Sequence, residues 1–114
     1  MNREEQQHLD RGFVKVQQLL FRQFKKNPDL NAILFLIGIR ELGELKGEFT
    51  KEEKQDLMHI AICRLLSEEG YYQLEGHDQD GWPHWQATKT LPDLSLDEQE
   101  NLLKKQIILY FADL

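Results

Sequence analysis

The absences in this chain narrow its class before any motif is read. There is a single cysteine, Cys63, so no internal disulfide can form and a disulfide-stapled scaffold is excluded. The longest apolar run, Ile33 to Ile37, is far shorter than the roughly 20 residues a membrane-spanning helix needs. No basic segment followed by an apolar stretch opens the chain, so a cytoplasmic protein is expected. Val and Thr together appear only five times, too few to furnish an extensive sheet. No HExxH, paired CxxC, GxSxG, GxGxxG or phosphate-cradling glycine loop occurs, so none of the common catalytic signatures is present. A non-catalytic protein is expected.

The residues that are abundant favour helices. Leu occurs 19 times and Gln 11 times, and both lose little rotamer freedom in a helix. Leu, Ile, Val and Phe make up about 30% of the 114 residues, above the roughly 20% below which charged chains stay disordered. The expectation is a mainly α, single-domain chain: a compact four-helix array with a short β-hairpin or ordered loop between the third and fourth helices. The helices are expected at about 3–26, 28–43, 51–69 and 96–113, with the hairpin or loop at about 71–94.

In the first helix Leu9, Phe13, Val16, Leu20 and Phe24 recur at helical spacing, and Leu19 and Phe21 are expected to widen that stripe. Lys25 and Lys26 close its last turn, where cations suit the helix dipole. Asn27 is expected to cap the second helix, with Pro28 at its first position. That helix is apolar on every side from Ile33 to Ile37, which marks it as the core element. Gly38 inside it costs about 1 kcal/mol relative to Ala; a close helix crossing would offset that loss, and a kink is the alternative. Gly43 or Gly47 ends it. Thr50-Lys51-Glu52-Glu53 and Ser95-Leu96-Asp97-Glu98 have the form of capping boxes and start the third and fourth helices. Leu57, Ile60, Ala61, either Cys63 or the stem of Arg64, and Leu65 form the buried side of the third, which Gly70 terminates. The last stripe is Leu103, Ile107, Tyr110 and Leu114, widened by Leu102 and Phe111.

Between Tyr71 and Leu94 the helical rhythm stops, and Asp80-Gly81 is a hairpin turn signal. A two-residue turn there pairs His77 with His84, Gly76 with Trp85, Leu74 with Ala87 and Tyr72 with Lys89. That register gathers polar side chains on one face and apolar ones on the other, and it sends Pro83 to an open edge.

The same segment holds the candidate site. With His77 and His84 as cross-strand neighbours, Cβ atoms roughly 5 Å apart, two imidazoles and either Asp78 or Glu75 suit zinc or another transition metal, or a pH-sensitive pair. A solvated turn in which Asp and Gly merely supply backbone freedom is the plainer reading. Trp82, Trp85 and Tyr71 are the candidate partner-binding anchors, against the alternative that these rings cap their own core. His59 and Cys63 lie four apart on the third helix, the geometry of a nucleophilic pair, in a setting whose apolar neighbours suggest burial instead.

Net charge is −6, distributed unevenly. Residues 2–26 carry +3 and residues 27–114 carry −9, so attraction between unlike surfaces and self-association into a homo-oligomer are expected. Helix–hairpin order brings a winged-helix DNA reader to mind, but Glu52, Glu53 and Asp56 lead the would-be recognition helix and the would-be wing tip is acidic. The run Phe35 to Gly43, with Gly76 to Trp85, resembles small all-helical bacterial proteins of uncharacterised function. The resemblance implies a helical array and supplies no activity, cofactor or site residue. The leading expectation is thus a non-catalytic protein-interaction module presenting residues 75–85. A metal-binding protein and a winged-helix-like regulator are the alternatives.

Overall fold

Asn2 admits the chain to its first helix by accepting the Glu5 N–H on its side-chain oxygen at 2.8 Å. A computed structural model describes residues 2–43 and 48–112. Among the described residues there are four helices and one antiparallel hairpin, in the order α1 (Arg3–Phe24), α2 (Leu30–Leu42), α3 (Lys51–Ser67), β1 (Tyr72–His77), β2 (Pro83–Ala87) and α4 (Leu96–Tyr110). The mainly helical class and the place of the hairpin agree with the expectation. No helix among them is long and apolar enough to cross a membrane.

The contacts divide the chain into two units, one holding α1, the Asn27–Leu30 link and α4, the other running from Asn31 to Pro92. In the first, α1 buries Leu9, Phe13, Val16 and Leu20, and α4 buries Ile107 and Phe111. The two helices approach closely where a Cβ on Gly12 would meet Ile108 Cδ1 at 2.9 Å. Gln6 and Asn101 exchange side-chain hydrogen bonds of 2.9 and 3.2 Å along the same contact. Leu19 and Phe21 do not widen the α1 stripe as expected: they are 46% and 48% exposed, because they lie on flanks that the α4 contact does not reach. The Phe24 side chain, Gly47 and Leu114 lie outside the described residues.

Several boundaries also differ: α3 ends at Ser67 and α4 at Tyr110, short of the expected 69 and 113. α1 stops at Phe24 because Lys25 turns left-handed, φ 59°, and donates its N–H back to the Phe21 carbonyl. α2 begins at Leu30, two residues after Pro28, which is buried and gives its carbonyl to Gln17 Nε2 at 2.9 Å. Asn27-Pro28 is therefore an anchored link and not the helix start, and Asp29 occupies the position before the first helical residue.

In the second unit α2 is the central helix expected, with Ile33 and Ile37 fully buried. It ends at Gly43, φ 75°. Gly38 marks a close crossing and not a kink: a Cβ there would collide with the Leu57 backbone carbonyl and lie 2.9 Å from Leu57 Cβ. The Arg64–Glu41 ion pair at 3.3 Å ties α3 to α2 a short distance along. Both capping boxes form in full, Thr50 with Glu53 (3.1 and 2.9 Å) and Ser95 with Glu98 (3.2 and 3.1 Å). At the far end of α3, Tyr71 N–H bonds the Leu66 carbonyl and Gly70 N–H the Ser67 carbonyl, the double closure of a Schellman motif. Thr88 N–H then bonds the Tyr71 carbonyl and Thr88 Oγ1 the Gly70 carbonyl, so the base of the hairpin is fastened to the end of α3.

The crossing makes a prediction with an informative sign. Helix propensity alone says that G38A stabilises by about 1 kcal/mol. The collision with Leu57 says that it destabilises, by about 2 kcal/mol for an overpacked core. Urea denaturation of G38A is expected to show a lowered midpoint, and a raised one would contradict the crossing.

Candidate functional site

The hairpin turn is built by one aspartate. Asp78 Oδ1 accepts the N–H groups of Asp80 (2.9 Å) and Trp82 (3.0 Å), and Oδ2 takes His84 Nε2 at 3.0 Å. In the backbone, Gly81 N–H bonds the Asp78 carbonyl and Asp78 N–H bonds the Trp82 carbonyl. This is a turn over Asp78–Gly81 closed by a left-handed glycine, Gly81 φ 86°. The expected two-residue Asp80-Gly81 turn is not formed. It would need positive φ at both residues, and among the described residues Lys25 is the only non-glycine with positive φ.

The longer turn shifts the register. The pairs are His77 with Pro83, Gly76 with His84, Leu74 with Trp85, Gln73 with Gln86 and Tyr72 with Ala87, with an irregularity between Leu74 and Gly76 that leaves Glu75 as the extra residue. Gly76 carries the φ of 147° that this bulge demands. Tyr72, Leu74, Trp85 and Ala87 still share one face, through pairings different from those expected. Tyr72 does not pair with Lys89, and Trp85 does not cover Gly76. Pro83 is buried, in a strand that has an open edge because the sheet has two strands among the described residues.

The correction matters most for the histidines. His77 sits opposite Pro83, and Pro83 and His84 point to opposite faces, so His77 and His84 do not converge. His84 is committed to Asp78. Among the described residues no group of three His, Cys, Asp or Glu side chains is placed to hold a metal ion.

The residues do converge elsewhere. α3 packs against both strands, and between them lies a groove of about 340 Å³. Asp56, His59 and Ile60 line it from α3, and Asp78, Trp82, Pro83, His84 and Trp85 from the hairpin. Of the three candidate anchors, Trp82 and Trp85 both reach this groove. Tyr71 does not; it lies at the hairpin base with Lys89 Nζ 4.5 Å over its ring. Trp85 is half-buried, and its Nε1 is enclosed without a hydrogen-bond partner among the described residues. His59 meets Tyr72 edge-on, ring centres 6.5 Å apart, which holds β1 against α3.

The groove's charge is one-sided. Among the described residues no Lys or Arg lines it, and none occurs in the sequence from Tyr72 to Ala87. The hydrogen bond from His84, then those from the Trp82 and Asp80 backbones, hold the Asp78 carboxyl below the usual carboxylate range. Asp56 adds an exposed carboxylate, which forms no ion pair among the described residues. Asp56, His59 and Ile60 were not singled out as a binding face by their spacing, although positions i, i+3 and i+4 do share one helix side. The missing signal was which element faces them.

The Cys63–His59 pair exists, Sγ to Nε2 3.5 Å, but Cys63 has no exposed surface and burial pushes its thiol up to about 11. It is a core cysteine beside an exposed histidine. Comparison with protein-family models, with curated proteins and with solved structures finds no match to this chain.

Two outcomes follow from these environments. Because the Asp78 carboxyl is lowered in the folded state, its contribution to turn order is complete above about pH 4 and declines as pH falls through the lowered value. The protection factors of the Trp82 and Asp80 amides, measured by NMR against the intrinsic exchange rate at each pH, should therefore fall on acidification below about pH 4, and D78N should show the low protection already at neutral pH. For Cys63, a thiol near 11 leaves about one thiolate in a thousand at pH 8. Native protein is expected to resist a thiol-labelling reagent that modifies the urea-unfolded chain rapidly.

Proposed function

We propose that this protein is a non-catalytic interaction module whose groove between α3 and the hairpin receives a cationic segment of a protein partner. The observation that carries this reading is the convergence of two indoles and two carboxylates on one open surface, with no Lys or Arg among the described residues that line it. Indole faces attract ammonium and guanidinium groups, a contact worth about 0.5–2 kcal/mol, and an uncommitted carboxylate such as Asp56 favours the same ligands. Large aromatic anchors supply most of the energy in protein interfaces.

The chemistry around the groove supports a binding role. Cys63 is too buried and too weakly acidic to serve as a nucleophile, and His84 is engaged in holding the turn. The acids leading α3 and the acidic hairpin tip disfavour a phosphate backbone at this face, which weighs against the winged-helix reading. The register weighs against the His77–His84 metal reading.

The test is the pair W82A and W85A, with folding checked by far-UV circular dichroism. Cross-linking from a photo-reactive residue placed at Gln79, in cells that express the protein at its native level, is expected to yield defined adducts in the wild type. The tryptophan variant should lose them, with affinity for any adduct partner reduced about 30-fold or more, the effect of removing about 2 kcal/mol. An unchanged adduct pattern would overturn the reading.

A further inference from the structure

The outer side of α1 has the opposite character to the groove. Arg11, Lys15 and Arg22 fall at i, i+4 and i+11, a single row on the helix surface, and all three are exposed. Beside that row stand Val14, 47% exposed, and Phe21, 48% exposed, seven residues apart and hence on one side of the helix. Lys25, exposed in its left-handed cap, extends the basic row past the helix end. α1 is thus amphipathic twice over. Leu9, Phe13, Val16 and Leu20 supply a buried stripe, and Val14 and Phe21 supply a second apolar strip with the cations along one flank and Asp10 at its N-terminal end.

A lone exposed Phe or Val needs no explanation, but large apolar side chains edged by a row of like charges form a surface that a partner can read. The groove offers what such a surface lacks: the Trp82 and Trp85 rings for Phe21 and the guanidinium groups, and Asp56 and Asp78 for the cations. The two surfaces belong to different units of the same chain, so every copy carries both.

We infer that the groove's occupant is a second copy of this chain, which docks the outer face of its α1, centred on Phe21 and Arg22, between Trp82 and Trp85. This rests on the reading of the groove as a receptor and names its ligand. The contact joins unlike surfaces of two copies of the chain. Oppositely charged partners associate faster and more tightly at low salt, so the assembly is salt-sensitive.

Sedimentation velocity over a wide concentration range, at low and at high salt, tests this. The wild type should gain mass with concentration at low salt and lose that gain at high salt. Two variants should stay monomeric: R11E/K15E/R22E, which reverses the α1 row, and W82A/W85A, which empties the groove. Mixed one to one, they should recover a heterodimer, since one retains the groove and the other retains the helix face. D56K, at an exposed position, replaces the tryptophan pair if that variant fails to fold. A wild type that stays monomeric, variants that assemble as the wild type does, or a mixture that stays monomeric would each overturn the second copy as occupant. A monomeric wild type whose Gln79 cross-links still depend on Trp82 and Trp85 would leave the receptor reading standing, with another protein as ligand. Loss of both results would remove the receptor reading too.

Discussion

The arrangement of the hairpin depends on one carboxylate. Asp78 accepts two backbone N–H groups of its own turn and the imidazole of His84, and through them it sets where β2 begins. The length of that turn decides which residues of β2 oppose β1, and a one-residue slip would carry each side chain to the other face. With the turn spanning Asp78–Gly81, Trp85 lies opposite Leu74 and Pro83 is buried. The groove against α3 is the product of that register. The carboxylate is also favoured energetically in its ionised form, because its partners are all donors. Structure and charge at this site are maintained by the same atoms.

Around the site the fold works as a support. The Schellman closure at Gly70 and the Thr88 bonds to Gly70 and Tyr71 fix the base of the hairpin to α3, while His59 against Tyr72 holds its flank. α3 is itself seated on α2 by the Gly38–Leu57 approach and the Arg64–Glu41 pair. The groove is therefore framed by regular elements at its sides and by a hydrogen-bonded turn at its tip. If the groove is the receptor we propose, such a frame needs little ordering when the partner docks, which preserves affinity.

Much of this was legible in the residues alone. The capping boxes at Thr50 and Ser95, the closure at Gly70 and the end of α2 at Gly43 are set by local hydrogen bonds and backbone freedom, so short motifs identify them. Gly38 was readable as a crossing because a glycine in an apolar helix needs a compensating contact. The register was not, because Asp80-Gly81 satisfies the rule for a tight turn while the competing side chain, Asp78, lies outside that dipeptide. Nor was the exposure of Leu19 and Phe21, because their burial depends on how far a neighbouring helix reaches round α1. The site was half visible: Trp82 and Trp85 stood out, whereas Asp56 and His59 join them only once α3 is placed against the hairpin.

The central claim is the register that Asp78 imposes, and a nuclear Overhauser spectrum of the hairpin tests it most directly. Antiparallel strands bring opposed residues to within about 4.5–5.5 Å between Cα atoms, close enough for strong cross-strand signals. The account predicts contacts linking Leu74 with Trp85 and Gly76 with His84, and none that pair His77 with His84. A spectrum that links Gly76 with Trp85 and His77 with His84 would contradict it, and with it the groove built on that pairing.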